Sequence, residues 1–184
     1  GAQRAINKGA ELGSGESIVT GDGGRAQLRF TDGGMVSLQP GSEFKIDNYS
    51  FSGKEDGQEK GFFSLLKGGL RTITGLVGRT NKQAYKVTTG VATIGIRGTE
   101  FTIAYTGNNS GIAVSTGEGT IEVCNNAGCA IIPAGSSAIV SGPNTRIERS
   151  DVKPRLDPAQ PPGDVQPVFS TADSRQPNGL VAPV

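Results

Sequence analysis

Hydrophobic and polar positions alternate with a period of two along most of this chain. Residues 25–30 (RAQLRF) put Ala26, Leu28 and Phe30 on one face. Residues 42–46 (SEFKI) do so with Phe44 and Ile46, and residues 99–105 (TEFTIAY) with Phe101, Ile103 and Tyr105. A two-residue period is the mark of a strand with one buried face. Shorter segments of this kind recur at 35–38, 62–66, 70–74, 85–88, 91–96, 112–114, 120–123, 130–132 and 137–140. Turn formers separate them, among them Asp32-Gly33-Gly34, Pro40-Gly41, Gly68-Gly69, Gly117-Glu118-Gly119 and Pro133-Ala134-Gly135. Many short strands with such frequent turns predict an all-β domain. No stretch reads as an amphipathic helix longer than two turns. Strands this short predict a solenoid-like or roll-like body in which each strand stacks on its successor, with a β-sandwich as the alternative. No repeat of fixed length is visible.

Composition sharpens this picture. The 184 residues include 29 glycines, roughly twice the usual share. Gly costs about 1 kcal/mol relative to Ala inside a helix, which argues against long helices. Most of the prolines gather late, at Pro154, Pro158, Pro161, Pro162, Pro167, Pro177 and Pro183. The predicted organisation is an N-terminal segment over 1–14, a β-domain over 15–150 and an extended Pro-rich tail over 151–184. Short apolar pieces interrupt that tail. Val165, Val168 and Phe169 form one, Leu180, Val181 and Val184 another, and either could add a strand to a neighbouring chain.

The absences bear on chemistry. There is no His and no Trp. Without His, Ser-His-Asp and Cys-His nucleophile systems are excluded, as is the commonest metal ligand. With two Cys besides, no metal site and no cofactor is expected. The acid pairs Asp22/Asp32 and Glu118/Glu122 read as surface or turn residues, so no enzyme is expected. Arg71, Arg79, Lys82 and Lys86 read as solvated positions rather than an anion site. A net charge of +1 is no nucleic-acid footprint, and no apolar run is long enough to span a membrane.

Cys124 and Cys129 flank four residues between two strand-like segments. Facing ends of a hairpin bring Cα atoms within disulfide reach, so a Cys124–Cys129 bridge is expected, with a free buried pair as the alternative. A bridge would place the protein in a periplasm or outside the cell.

Residues 87–101 (VTTGVATIGIRGTEF) then carry a resemblance. The run Gly95, Arg97, Gly98, Thr99 and Phe101 is similar to the signature of the FecR-type domain of bacterial exported proteins. Gly21-Asp22, followed by a strand and Asp32-Gly33, resembles the family's other hallmark. Gly68-Gly69-Leu70-Arg71, residues 117–123 and residues 132–136 fit its later steps in order. The resemblance covers about residues 15–140. It implies a bacterial β-domain, periplasmic or at the cell surface, without a catalytic centre. Gly21, Asp22, Gly95, Arg97, Gly98, Thr99 and Phe101 are then expected to be structural. The family's regulator carries a cytoplasmic anti-sigma segment, a membrane helix and a further C-terminal domain, and none of these has a match here. The sequence therefore ranks binding of a protein or envelope partner first. A subunit of an extracellular homo-polymer linked through its tail comes second, and a periplasmic signal relay third.

Overall fold

The structure, a computed structural model, describes residues 2–154 and 156 and the backbone strands at 168–171 and 181–183. The strands are β1 (Gln3–Ile6), β2 (Ser17–Thr20), β3 (Ala26–Phe30), β4 (Met35–Leu38), β5 (Glu43–Ser50), β6 (Lys60–Lys67) and β7 (Gly69–Ile73). A single helical turn, α1 (Val77–Thr80), comes next. It is followed by β8 (Tyr85–Thr88), β9 (Thr93–Ile96), β10 (Glu100–Tyr105), β11 (Ile112–Glu118), β12 (Thr120–Asn125) and β13 (Gly128–Pro133). The series closes with β14 (Ser137–Val140), β15 (Glu148–Ser150), β16 (Val168–Thr171) and β17 (Val181–Pro183).

The all-β expectation holds, and the two architectural readings merge. In one sheet the body strands run β2-β5-β6-β8-β9-β12-β13, and in the other β3-β4-β7-β10-β11-β14-β15. Both orders rise monotonically. Through β15 the chain lays one or two strands in one sheet, crosses to the other, and does not return to an earlier position. The path is that of a roll, and the product is a two-layer stack. All pairings are antiparallel except β6 with β8, which the chain joins through β7 and α1. The late strands extend the starting end. β16 lies between β1 and β2, and β17 pairs with β3.

One core fills the space between the layers. Alternation in β3 sends Leu28 and Phe30 inward, and in β5 Phe44 and Ile46, as the pattern predicts. The Phe30 ring meets Tyr49 at 4.9 Å and Phe63 at 5.1 Å across the two sheets. Phe63 also contacts Phe44 at 5.4 Å and Tyr85 at 5.3 Å. Ile6 and Leu12, from the first segment of the chain, belong to the same core.

Of the apolar tail positions, Val168 and Phe169 fall in β16 and Val181 in β17. Val165, Leu180 and Val184 lie outside the described residues.

Candidate functional site

Asp32 reads as a surface turn residue in the sequence, and the structure corrects this. It is only 6% exposed and sits at the centre of a polar network. Its Oδ1 accepts from the Gly34 N–H at 3.0 Å, and its Oδ2 from the Val77 N–H at 3.1 Å. Its own N–H donates to the Tyr49 hydroxyl at 3.0 Å, and its carbonyl accepts from the Leu76 N–H at 3.1 Å. The β3–β4 turn is thereby pinned to the segment that leads into α1. The approach is close enough to require glycine: a Cβ on Gly75 would stand 2.5 Å from the Asp32 carboxylate.

Two tyrosines attach to this region, and neither was legible as functional. Tyr49 also shares a hydrogen bond with Thr31 at 3.1 Å, and Tyr85 one with Thr72 at 2.9 Å. Burial pushes the Tyr49 hydroxyl up to about 12. Burial pushes the Tyr85 hydroxyl up as well. Both are held as neutral hydrogen-bonding groups, suited to fixing strands and not to proton transfer.

The motif residues 95–101 occupy the crossing from β9 to β10, where the chain changes sheets. Gly95 is paired with Lys86 on one side and Glu122 on the other. The Arg97 N–H donates to the Thr120 carbonyl at 2.9 Å, while its side chain is exposed. Gly98 adopts φ +66°, and a Cβ on Gly119 would stand 2.2 Å from the Gly98 carbonyl oxygen. The β9–β10 and β11–β12 crossings therefore touch backbone to backbone. The Thr99 N–H donates to Thr74 Oγ1 at 3.0 Å, and Phe101 is buried in the core. Gly21 lies elsewhere, in the β2–β3 turn, where its carbonyl accepts from Gly24 and Gly41 at 3.0 Å each. Asp22 is exposed. The motif residues are thus spread over separate turns and do not line a common cleft. Of the basic positions, Arg71 is engaged, donating to Glu100 from Nε at 2.8 Å.

The far end of the stack differs in character. There β13 and β15 are the terminal strands of the two sheets. The groove between them has a volume of about 640 Å³ and is lined by Cys129, Ala130, Arg146, Ile147, Glu148 and Arg149, among others. Ile131 is 42% exposed and its carbonyl accepts from Arg149 Nη2 at 3.1 Å. Val152 is 61% exposed. The Cys124–Cys129 disulfide is formed across the β12–β13 pair, with Cα atoms 4.1 Å apart. So short a separation marks a pair whose N–H and C=O groups point away from each other. Cys129 and, two residues on, Ile131 therefore turn their backbone groups to the open edge. Among the described residues, the trio Glu122, Cys124 and Cys129 comes within metal-ligand distance, but its two sulfurs are bonded to one another. No helix of the described residues is long and apolar enough to cross a membrane.

Comparison with known proteins bears on this arrangement. A family profile described as "FecR protein" matches residues 16–122. No curated protein matches the chain. Two crystal structures of a candidate anti-sigma factor from Parabacteroides distasonis share the fold. One superposes with a TM-score of 0.58 at 17% identity over 74% of this chain, the other with 0.56 at 18% over 78%. This chain spans 60% of the length of each of those two. At such identities the likeness is one of fold alone.

Proposed function

The chain belongs to the FecR protein family, and from that membership we propose that it is a non-enzymatic signal-relay domain acting by protein binding outside the cytoplasm. The family match over residues 16–122 is the observation that carries this reading. The shared fold of two candidate anti-sigma factors supports it. The relay reading thereby moves ahead of the general binding reading and the polymer reading that the sequence alone ranks higher. Nothing in the comparisons favours a filament subunit.

The partner surface is the open end built by β13 and β15. Strand edges with unpaired backbone groups are the ready means by which a β-domain takes up an extended segment of another protein. Cys129 offers such groups, the Ile131 carbonyl is already taken by Arg149 Nη2, and Ile131 and Val152 offer apolar contact. The disulfide beside them favours an oxidising compartment. The residues of the motif at 95–101 act in this reading as the hinge-free corner of the scaffold, with no ligand of their own.

The reading is tested in the host cell by comparing transcription between the wild type, a deletion strain and a strain carrying Ile131→Asp. A relay domain predicts that one defined set of genes changes in the deletion and that Ile131→Asp reproduces the change at normal protein level. Unchanged transcription in both strains would remove the relay reading.

A further inference from the structure

The starting end of the stack is completed by strands from the end of the sequence. β16 is bonded along both sides, with four register pairs to β1 and four to β2. It is the strand through which β1 joins the sheet. β17 likewise lengthens the other sheet at β3. Yet β15, the strand before them in sequence, stands at the opposite end of that same sheet. Six strand steps at about 4.8 Å separate β15 from β3, roughly 29 Å. The 17 residues between Ser150 and Val168 can span at most about 61 Å. That length reaches the chain's own slot, and it equally reaches the slot of a second molecule placed end to end.

The slot holds β16 by strand pairing, which depends on backbone groups common to every copy. A second copy therefore presents the same acceptor and the same donor strand. We propose that Val168–Thr171 of one molecule fills the slot between β1 and β2 of another, so that the protein exchanges strands with itself. Own-chain pairing has the advantage of a high effective concentration, so exchange sets in as the protein is concentrated. This inference stands independently of the relay reading, because it concerns the opposite end of the molecule.

Gln3 and Thr171 are register partners on β1 and β16, and Gln3 is exposed. A full-length Gln3→Cys/Thr171→Cys variant, mixed in two sizes by a tag, reports who pairs with whom after oxidation and non-reducing electrophoresis. The expected result is a monomer-sized product at low micromolar concentration, giving way at hundreds of micromolar to dimers and higher multiples that contain both sizes. A monomer-sized product at every concentration overturns the proposal and leaves the slot to the chain's own strand. Light scattering of the unaltered full chain gives a second reading over the same range. A mass that stays at 18.9 kDa overturns the proposal. So does an increase that Ser170→Pro, which removes one ladder N–H, leaves untouched.

Discussion

Asp32 shows how a single side chain can hold separate parts of a sheet stack together. Its carboxylate satisfies two backbone N–H groups, one two residues away and one 45 residues away. Asp32→Ala strands both donors in the interior, and loss of about 2–4 kcal/mol in urea unfolding is expected. Tyr49→Phe removes one hydroxyl from the same network and should cost about 1 kcal/mol at neutral pH. It also alters the response to alkali. The Tyr49 hydroxyl is raised from 10.0 to about 12 in the folded protein. A raised value means the folded state holds its proton more tightly, so the contribution is complete below pH 10 and is lost as pH climbs through 12. Stability measured between those limits should fall less steeply in Tyr49→Phe than in the wild type. Little of this was legible in the sequence. Asp32-Gly33-Gly34 announces a turn, but the burial of that turn depends on Val77, and local pattern carries no information about so distant a partner.

Elements defined by alternation were legible, and those defined by their neighbours were not. β3, β5 and β10 each show the two-residue period and bury the predicted face. β1 and β15 show no such pattern: β1 buries one residue of four, and none of the three residues of β15 is fully buried. Both exist because another strand offers backbone groups. The corners between elements carry a second prediction. Gly98 and Gly119 both have positive φ, but space is open around the first and occupied by a carbonyl around the second. Gly98→Ala should cost about 1–2 kcal/mol, the left-handed penalty alone. Gly119→Ala should cost clearly more, since two sheet crossings must part to admit the methyl group. Thermal unfolding of the two variants side by side checks the difference. The β12–β13 hairpin carries a third. Cys124→Ser/Cys129→Ser opens a loop of only a few residues, and destabilisation of about 2 kcal/mol is expected.

At the scale of the whole molecule, the monotonic strand order governs how stability is distributed. Within its sheet each strand of the body pairs only with its immediate neighbours, so the middle is supported from both sides and the β13/β15 end from one. β15 has three residues and a single pairing partner in the described structure, β14. Its amides should exchange fastest among the body strands, and those of β6 and β10 slowest, as hydrogen-exchange mass spectrometry would show. Equal protection across the stack would contradict this gradient.

The placement of β16 also imposes a sequence in time. A ribosome delivers β1 and β2 well before the strand that joins them, which follows roughly ten to thirty seconds later at ordinary rates of synthesis. Throughout that interval the place between β1 and β2 has no strand to fill it. The sheet at β1 is therefore closed by a strand made long after it, and until then β1 waits for a neighbour that has not yet been made.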